Sequence, residues 1–323
     1  MPLFFTEPAY PMRTTAIGGR PMRFLKLKEV MEKTALSRSA IYRKMNEDQF
    51  PQSISLGDRA VAWVESEVDE WNIVGNGPGD LVLKKNEKVI RFNQPLTIAS
   101  KADLVITNSK LAGIEKGFLV QGEVPSELFT EKLEANTKAL ESLLGCKPSL
   151  GLLAIKTMLE FGVTINISRM TLLPSLERPL DYDKRKALPA AYHNWLGERR
   201  LASGWMDKLN WPGYVMKLAR HEPANDATTN RILSNLQSLP SIPKAEATEL
   251  LKGLSEVKPL TWLEHIDYSS LIALESLFFV LRGRHISPNW WLYDNELSTE
   301  VNRLQKNLAL AQQDLLFSEK VKA

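Results

Sequence analysis

Residues 34–46 read TALSRSAIYRKMN, and they concentrate side chains that can meet a nucleic acid. Arg38 or Arg43 can grip the O6/N7 edge of guanine with both guanidinium arms, or a phosphate instead. Ser37 and Ser39 would sit at a helix N-terminus, where free amides and the helix dipole favour an anion. Tyr42 can offer its hydroxyl to a phosphate and its ring to a sugar or a thymine methyl, and Lys44 adds a further cation. With Ser37 as the cap, helical spacing turns Arg38, Ser39, Tyr42 and Arg43 away from Ile41 and Met45. The same charges also suit an ordinary solvated helix, so the flanking elements must decide.

Those elements form a short series. LKLKEVMEKTAL places Leu27, Val30, Met31 and Leu36 at near-helical spacing, which predicts a helix before the one capped by Ser37. Phe50-Pro51 ends the second helix, because a residue before proline avoids the helical region. SISLGDRAVAW reads as a hairpin about Gly57-Asp58, putting Arg59 where it can reach a minor groove or backbone. ESEVDEWNIV predicts a third helix with Val68 and Trp71 inward. Trp63 and Trp71 suit core better than contact in so small a unit. Helix, turn, helix, hairpin, helix is the order of a winged helix-turn-helix. Charge follows it: Arg23 to Lys44 carry seven Lys/Arg against two Glu, and Met45 to Gly75 carry one Arg against seven Asp/Glu.

Residues 22–74 resemble the AlpA family of phage and prophage regulators. The parts that carry the resemblance are RFLKLKEV, the SRSAIYR helix, the FP step, LGDRAVAW and the closing ESEVDEW. It implies an excisionase-like or MerR-like winged helix. It also implies sequence-specific DNA binding, by a transcriptional regulator or a directionality factor in the excision of mobile elements. Typical members are little more than this domain, whereas about 250 residues follow here, and those residues resemble no family.

The expected organisation is a loose arm at 1–21, a DNA-binding unit at 22–75 closed by the GNGPGD turn, and a domain at 76–323. The overall class is mainly α, with a larger, mostly helical second domain and minor β. LVLKKNEKVIRF reads as a hairpin about Asn86-Glu87 and VTINISRMTLL as a strand. SELFTEKLEANTKALESLLG predicts a helix capped by Ser126, with Leu128, Leu133, Ala139 and Leu143 apolar. Further helices are expected through DYDKRKALPAAYHNWLGERRLASGW, ATTNRILSNLQSL, PKAEATELLKGLSEV and HIDYSSLIALESLFFVLRGRH. In the final stretch, 297–320, Leu297, Val301, Leu304, Leu308, Ala311 and Leu315 keep an a/d spacing. That stripe fits a homodimer seam, and it also fits a terminal helix packed on its own domain.

Composition narrows the classes. The 323 residues carry a net charge of +3, too weak for a general nucleic-acid coat, so any such contact is local. The one cysteine, Cys146, leaves no intramolecular disulfide and no cysteine-built zinc site. His193, His221, His265 and His285 are too far apart for a recognisable metal motif. Nothing matches a phosphate loop or nucleophile elbow, so no catalytic residue and no cofactor is expected. KRK (184–186), GERR (197–200) and RGRH (282–285) are candidates for a second basic surface, or a solvated face. The expected partner is double-stranded DNA, with a homodimer and a protein partner through the C-terminal region; no membrane is expected and a cytoplasmic, nucleoid-associated location is. The alternative is a toxin-like or phage-defence effector whose winged helix supplies DNA targeting or autoregulation.

Overall fold

The computed structural model describes residues 23–278 and 297–322, apart from 35, 48–49, 58–59, 80, 82, 85–86, 94–100, 176–192, 218–230 and some side chains. The arm at 1–21, Arg59, DYD, KRK, RGRH, His221 and His285 therefore lie outside the described residues.

The chain opens with β1 (Phe24–Lys26), α1 (Leu27–Thr34) and α2 (Arg38–Asn46). Two strands follow, β2 (Ile54–Gly57) and β3 (Ala60–Val64). β3 pairs antiparallel with both β1 and β2, giving a three-stranded sheet in the order β1-β3-β2. A small core holds it together: Leu25, Val30, Ile41, Met45, Phe50, Trp63 and Val68 are buried, with Leu27, Met31 and Leu36 packed on them. The indole N–H of Trp63 donates to the carbonyl of Pro51 at 3.0 Å, so the one polar atom of the largest core residue is satisfied.

The third helix is shorter than its sequence pattern. α3 (Glu65–Val68) is one turn, and β4 (Glu70–Val74) begins two residues later. Val68 stays in the first core, but Trp71 and Ile73 enter a second one. β4 joins β5 (Lys88–Phe92), β6 (Leu104–Asn108), β7 (Phe118–Gly122), β8 (Thr164–Ser168) and β9 (Leu209–Asn210) in the order β7-β6-β5-β4-β8-β9. All of these pairings are parallel except β6 with β7. The β content therefore exceeds what was expected. KVIRF is not half of a hairpin: it pairs in parallel with β4 and β6. GNGPG (75–79) directly follows β4 of the six-stranded sheet.

Strand pleat puts Trp71, Ile73, Ile90, Phe92, Leu104, Ile106, Ile165 and Ile167 on one face. They share a core with α5 (Phe129–Leu144) and α6 (Leu150–Leu159). A one-turn helix, α4 (Ser109–Ala112), follows β6. In α5 the inward residues are Phe129, Leu133, Asn136, Leu140 and Leu144, whereas Leu128 and Leu143 are exposed. Ser126 is not the N-cap; its hydroxyl accepts from the amide of Leu128, one residue before the helix. The opposite face mixes buried Val74, Val89 and Val105 with polar residues. Asn72, Asn166 and Asn210 stand in register across β4, β8 and β9, and buried Glu87 accepts from the side-chain amides of Asn72 and Asn166 at 3.2 and 2.6 Å.

A helical layer completes the chain: α7 (Trp195–Ser203), α8 (Ile232–Ser238), α9 (Lys244–Glu256), α10 (Pro259–His265), α11 (Tyr268–Glu275) and α12 (Ser298–Lys322). Leu297, Val301, Leu304, Leu308 and Ala311 are buried in one cluster with Leu251, Leu254, Trp262 and Leu271, and Leu315 packs at its margin. Within the chain this stripe packs on the apolar faces of α9 and α10. Buried Glu198 of α7 accepts from the amide and hydroxyl of Ser149 at 2.7 and 2.6 Å, tying the cap of α6 to this layer. Burial raises the Glu198 carboxyl to about 7 against the opposing effect of those hydrogen bonds. Among the described residues no helix is long and apolar enough to cross a membrane.

Candidate nucleic-acid interface

α2 is built as its sequence demands. The Ser37 hydroxyl accepts from the amide of Ala40 at 3.3 Å and lies 3.1 Å from the Ser39 hydroxyl. Ile41 is fully buried and Met45 nearly so, which locks the helix's rotation. Ser37, Arg38, Ser39 and Arg43 are exposed on the other side, and Lys44 is half-buried. The structure therefore brings the predicted residues of α2 onto one outward surface, except for much of Tyr42. That ring packs edge-on to Trp63 with centroids 6.3 Å apart, and the Arg38 guanidinium lies 5.8 Å above it. Tyr42 is a platform that positions Arg38 more than a freely offered ring.

The basic run divides in two. Arg23 pairs with Glu29 and Glu65 at 3.1 Å each. Lys33 pairs with Glu65 at 3.1 Å and with buried Asp69 at 2.6 Å. Arg38, Arg43 and Lys44 make no ion pair among the described residues, so their charge remains for a ligand. Of the acidic residues after α2, Glu65, Asp69 and Glu70 pair with Arg23, Lys33, Lys84 and Lys88. Asp69 also pairs with Lys88 of β5, and Lys88 pairs with Glu123 at 2.5 Å. Burial opposes the charge on Lys88, but its hydrogen bonds to Asp69 and Glu123 outweigh it and raise the ammonium pKa. The sequence reading missed this relay; its signal was Asp69 and Lys88 flanking two apolar runs, visible only once those runs are paired as strands.

The β2–β3 hairpin stands beside α2, with a register shift between Ser55 and Gly57. Its exposed apolar residues are Ile54, Leu56 and Val61.

Residues 23–73 match the family model described as prophage CP4-57 regulatory protein (AlpA). The DNA-binding transcriptional activator AlpA of Escherichia coli (strain K12) is 38% identical over 56 residues, which span 80% of that protein and 16% of this chain.

Through this segment, the chain belongs to the AlpA family.

Uncharacterized protein ORF88 of Enterobacteria phage P4 is 49% identical to the AlpA segment over 49 residues, 56% of its own length and 15% of this chain. No solved structure matches the chain. The AlpA segment runs through α1, α2 and the three-stranded sheet into β4, so its last residues are a central strand of the second unit.

Proposed function

We propose that the protein is a sequence-specific, double-stranded-DNA-binding transcriptional regulator of phage or prophage type. One observation carries this: α2 buries Ile41 and Met45 and turns Arg38, Ser39 and Arg43 outward without ion-pair partners among the described residues. It does so in a segment similar to a protein named as a DNA-binding transcriptional activator. In this reading α2 enters the major groove as the recognition helix of a winged helix-turn-helix. Arg43 and Arg38 read guanine or hold phosphates, Ser37 and Ser39 meet the backbone at the helix start, and Lys44 adds a phosphate contact. In this reading the β2–β3 hairpin is the wing, and Arg59 is a further DNA contact. An excision directionality factor would use the same surface.

One small reader covers few base pairs, so two copies on a repeated site are the expected functional form. Since the α12 stripe is occupied, that homodimer uses another surface or forms only on DNA. The cell compartment implied is the cytoplasm. The decisive experiment is a gel shift with DNA from upstream of the protein's own gene, at two salt concentrations. Steep salt dependence, and loss of the shift in Arg43→Ala, support the reading; no shift at either salt sinks it.

The size of the second unit supports a second reading, an effector such as a toxin-like or phage-defence module that the AlpA segment targets or autoregulates. Growth arrest on expressing the full chain, unchanged in Arg43→Ala, would favour it.

A further inference from the structure

The end of α2 is tied to the foot of the hairpin by one side chain. Met45 stands in the last turn of α2, where carbonyls lack partners along the helix. The side-chain amide of Gln52 donates to the Met45 carbonyl at 2.8 Å, and the amide of Glu47 approaches the same oxygen. A neutral donor suits this place, because the C-terminus is the negative pole of the helix dipole. Met45 and Gln52 lie on either side of the Phe50-Pro51 step, so the bond closes the turn between them.

That step is held from three sides. Phe50 is buried in the small core with Ile41 and Met45. The carbonyl of Pro51 accepts from Trp63 Nε1 at 3.0 Å, which fastens the step to β3. Gln52 then fastens it to α2, and β2 begins two residues later at Ile54. Phe50, Pro51 and Trp63 are buried and hold the fold together, whereas Gln52 is exposed. Its bond joins the helix to the hairpin without filling any of the core.

We propose that Gln52 is a positioning residue for DNA binding, which holds the foot of β2 against the last turn of α2 and so fixes the hairpin relative to the helix. Contacts from α2 and from the hairpin are then offered by one rigid body. A second contact on a rigid body costs little further ordering when DNA binds, so a site touched by both elements gains affinity. The proposal rests on the reading of α2 as a recognition helix and of Arg59 as a hairpin contact.

The test is a double-mutant cycle on the full chain. Affinity for duplex DNA from upstream of its own gene is measured by fluorescence anisotropy for the parent, Gln52→Met, Arg59→Ala and the double variant. Methionine keeps the length of glutamine but brings neither donor nor charge. Gln52→Met should weaken binding about threefold to tenfold, the worth of one hydrogen bond, with the melting temperature nearly unchanged. In the Arg59→Ala background the same substitution should weaken binding by less than about twofold, because the contact that Gln52 places is already gone. A direct contact between Gln52 and DNA, or a merely structural role, would give equal losses in both backgrounds. The proposal is overturned by equal losses, by unaltered affinity of Gln52→Met, or by an Arg59→Ala chain that binds as the parent does. Should Gln52→Met melt well below the parent, Gln52→Ala replaces it in the cycle; a low melting temperature in both overturns the proposal, since Gln52 then supports the fold itself. No binding by the parent chain sinks the reading of α2 as well, whereas parent binding with equal losses sinks this proposal alone.

Discussion

At the scale of single residues, the difference between a cation that binds and one that braces lies in its partners. Arg43 is exposed on α2 and Lys33, ten residues earlier on α1, is held by Glu65 and Asp69. Arg43→Ala should therefore lower DNA affinity by about 1–3 kcal/mol, and should reduce the slope of log affinity against log salt by about one if the lost contact is to phosphate. Titrations by fluorescence anisotropy at several salt concentrations measure both. Asp69→Ala acts differently. It removes the buried carboxylate shared by Lys33 and Lys88, leaving them Glu65 and Glu123, and should destabilise the fold by about 1–3 kcal/mol in urea melts. The basic run was legible in the sequence; which of its members were already committed was not, since Lys33 and Asp69 are 36 residues apart and meet only through packing.

At the scale of elements, α2 owes its orientation to Trp63, Ile41 and Met45, and α6 is tied to α7 through Glu198. Trp63→Ala should cost about 3–5 kcal/mol and lower DNA binding with it, since the core residue also supports Tyr42. Glu198 makes a pH prediction. Its carboxyl is raised from 4.5 to about 7 in the folded chain, so the folded state holds the proton more tightly than the unfolded one. Its favourable contribution is complete below about pH 4.5 and is lost as pH rises through about 7. The loss is on the order of 3 kcal/mol. Glu198→Gln should flatten the fall in melting temperature over that interval relative to the parent chain. The short helix α3 and the strand β4 show why EWNIV was misread. Glu65 to Val68 do start a helix, and the helical spacing of Val68 and Trp71 continues the pattern. Yet Trp71 and Ile73 find β5 and β8 on either side, and ladder pairing overrides local periodicity. Likewise KVIRF is a short apolar run of the kind a buried parallel strand uses, which periodicity alone cannot tell from half a hairpin, whereas TINIS, read as a strand, is one.

At the scale of the molecule, the AlpA segment is not carried on a tether. It contributes β4 to the centre of the second sheet, and Asp69 pins α1 to β5 at the joint. α12 reaches both larger cores: Leu304 and Leu308 lie in the helical one, and Phe317 packs on that of the sheet. Deleting residues 297–323 should therefore abolish cooperative unfolding of the second unit, checked by calorimetry. Substituting Arg303, which is exposed on α12, should leave it intact.

What the sequence by itself determined is local: the Ser37 cap, the inward Ile41 and Met45, the hairpin, and the family to which residues 23–73 belong. These follow from contacts within a few residues or from a dense run of matching positions. Only the tertiary structure decided that EWNIV is a central strand, that the α12 stripe is spent inside the chain, and that GNGPG meets Arg169. The reason is physical. An apolar stripe records that it must be buried but not against what, and a parallel strand finds its neighbours across crossovers of many residues, which leave no local periodic trace.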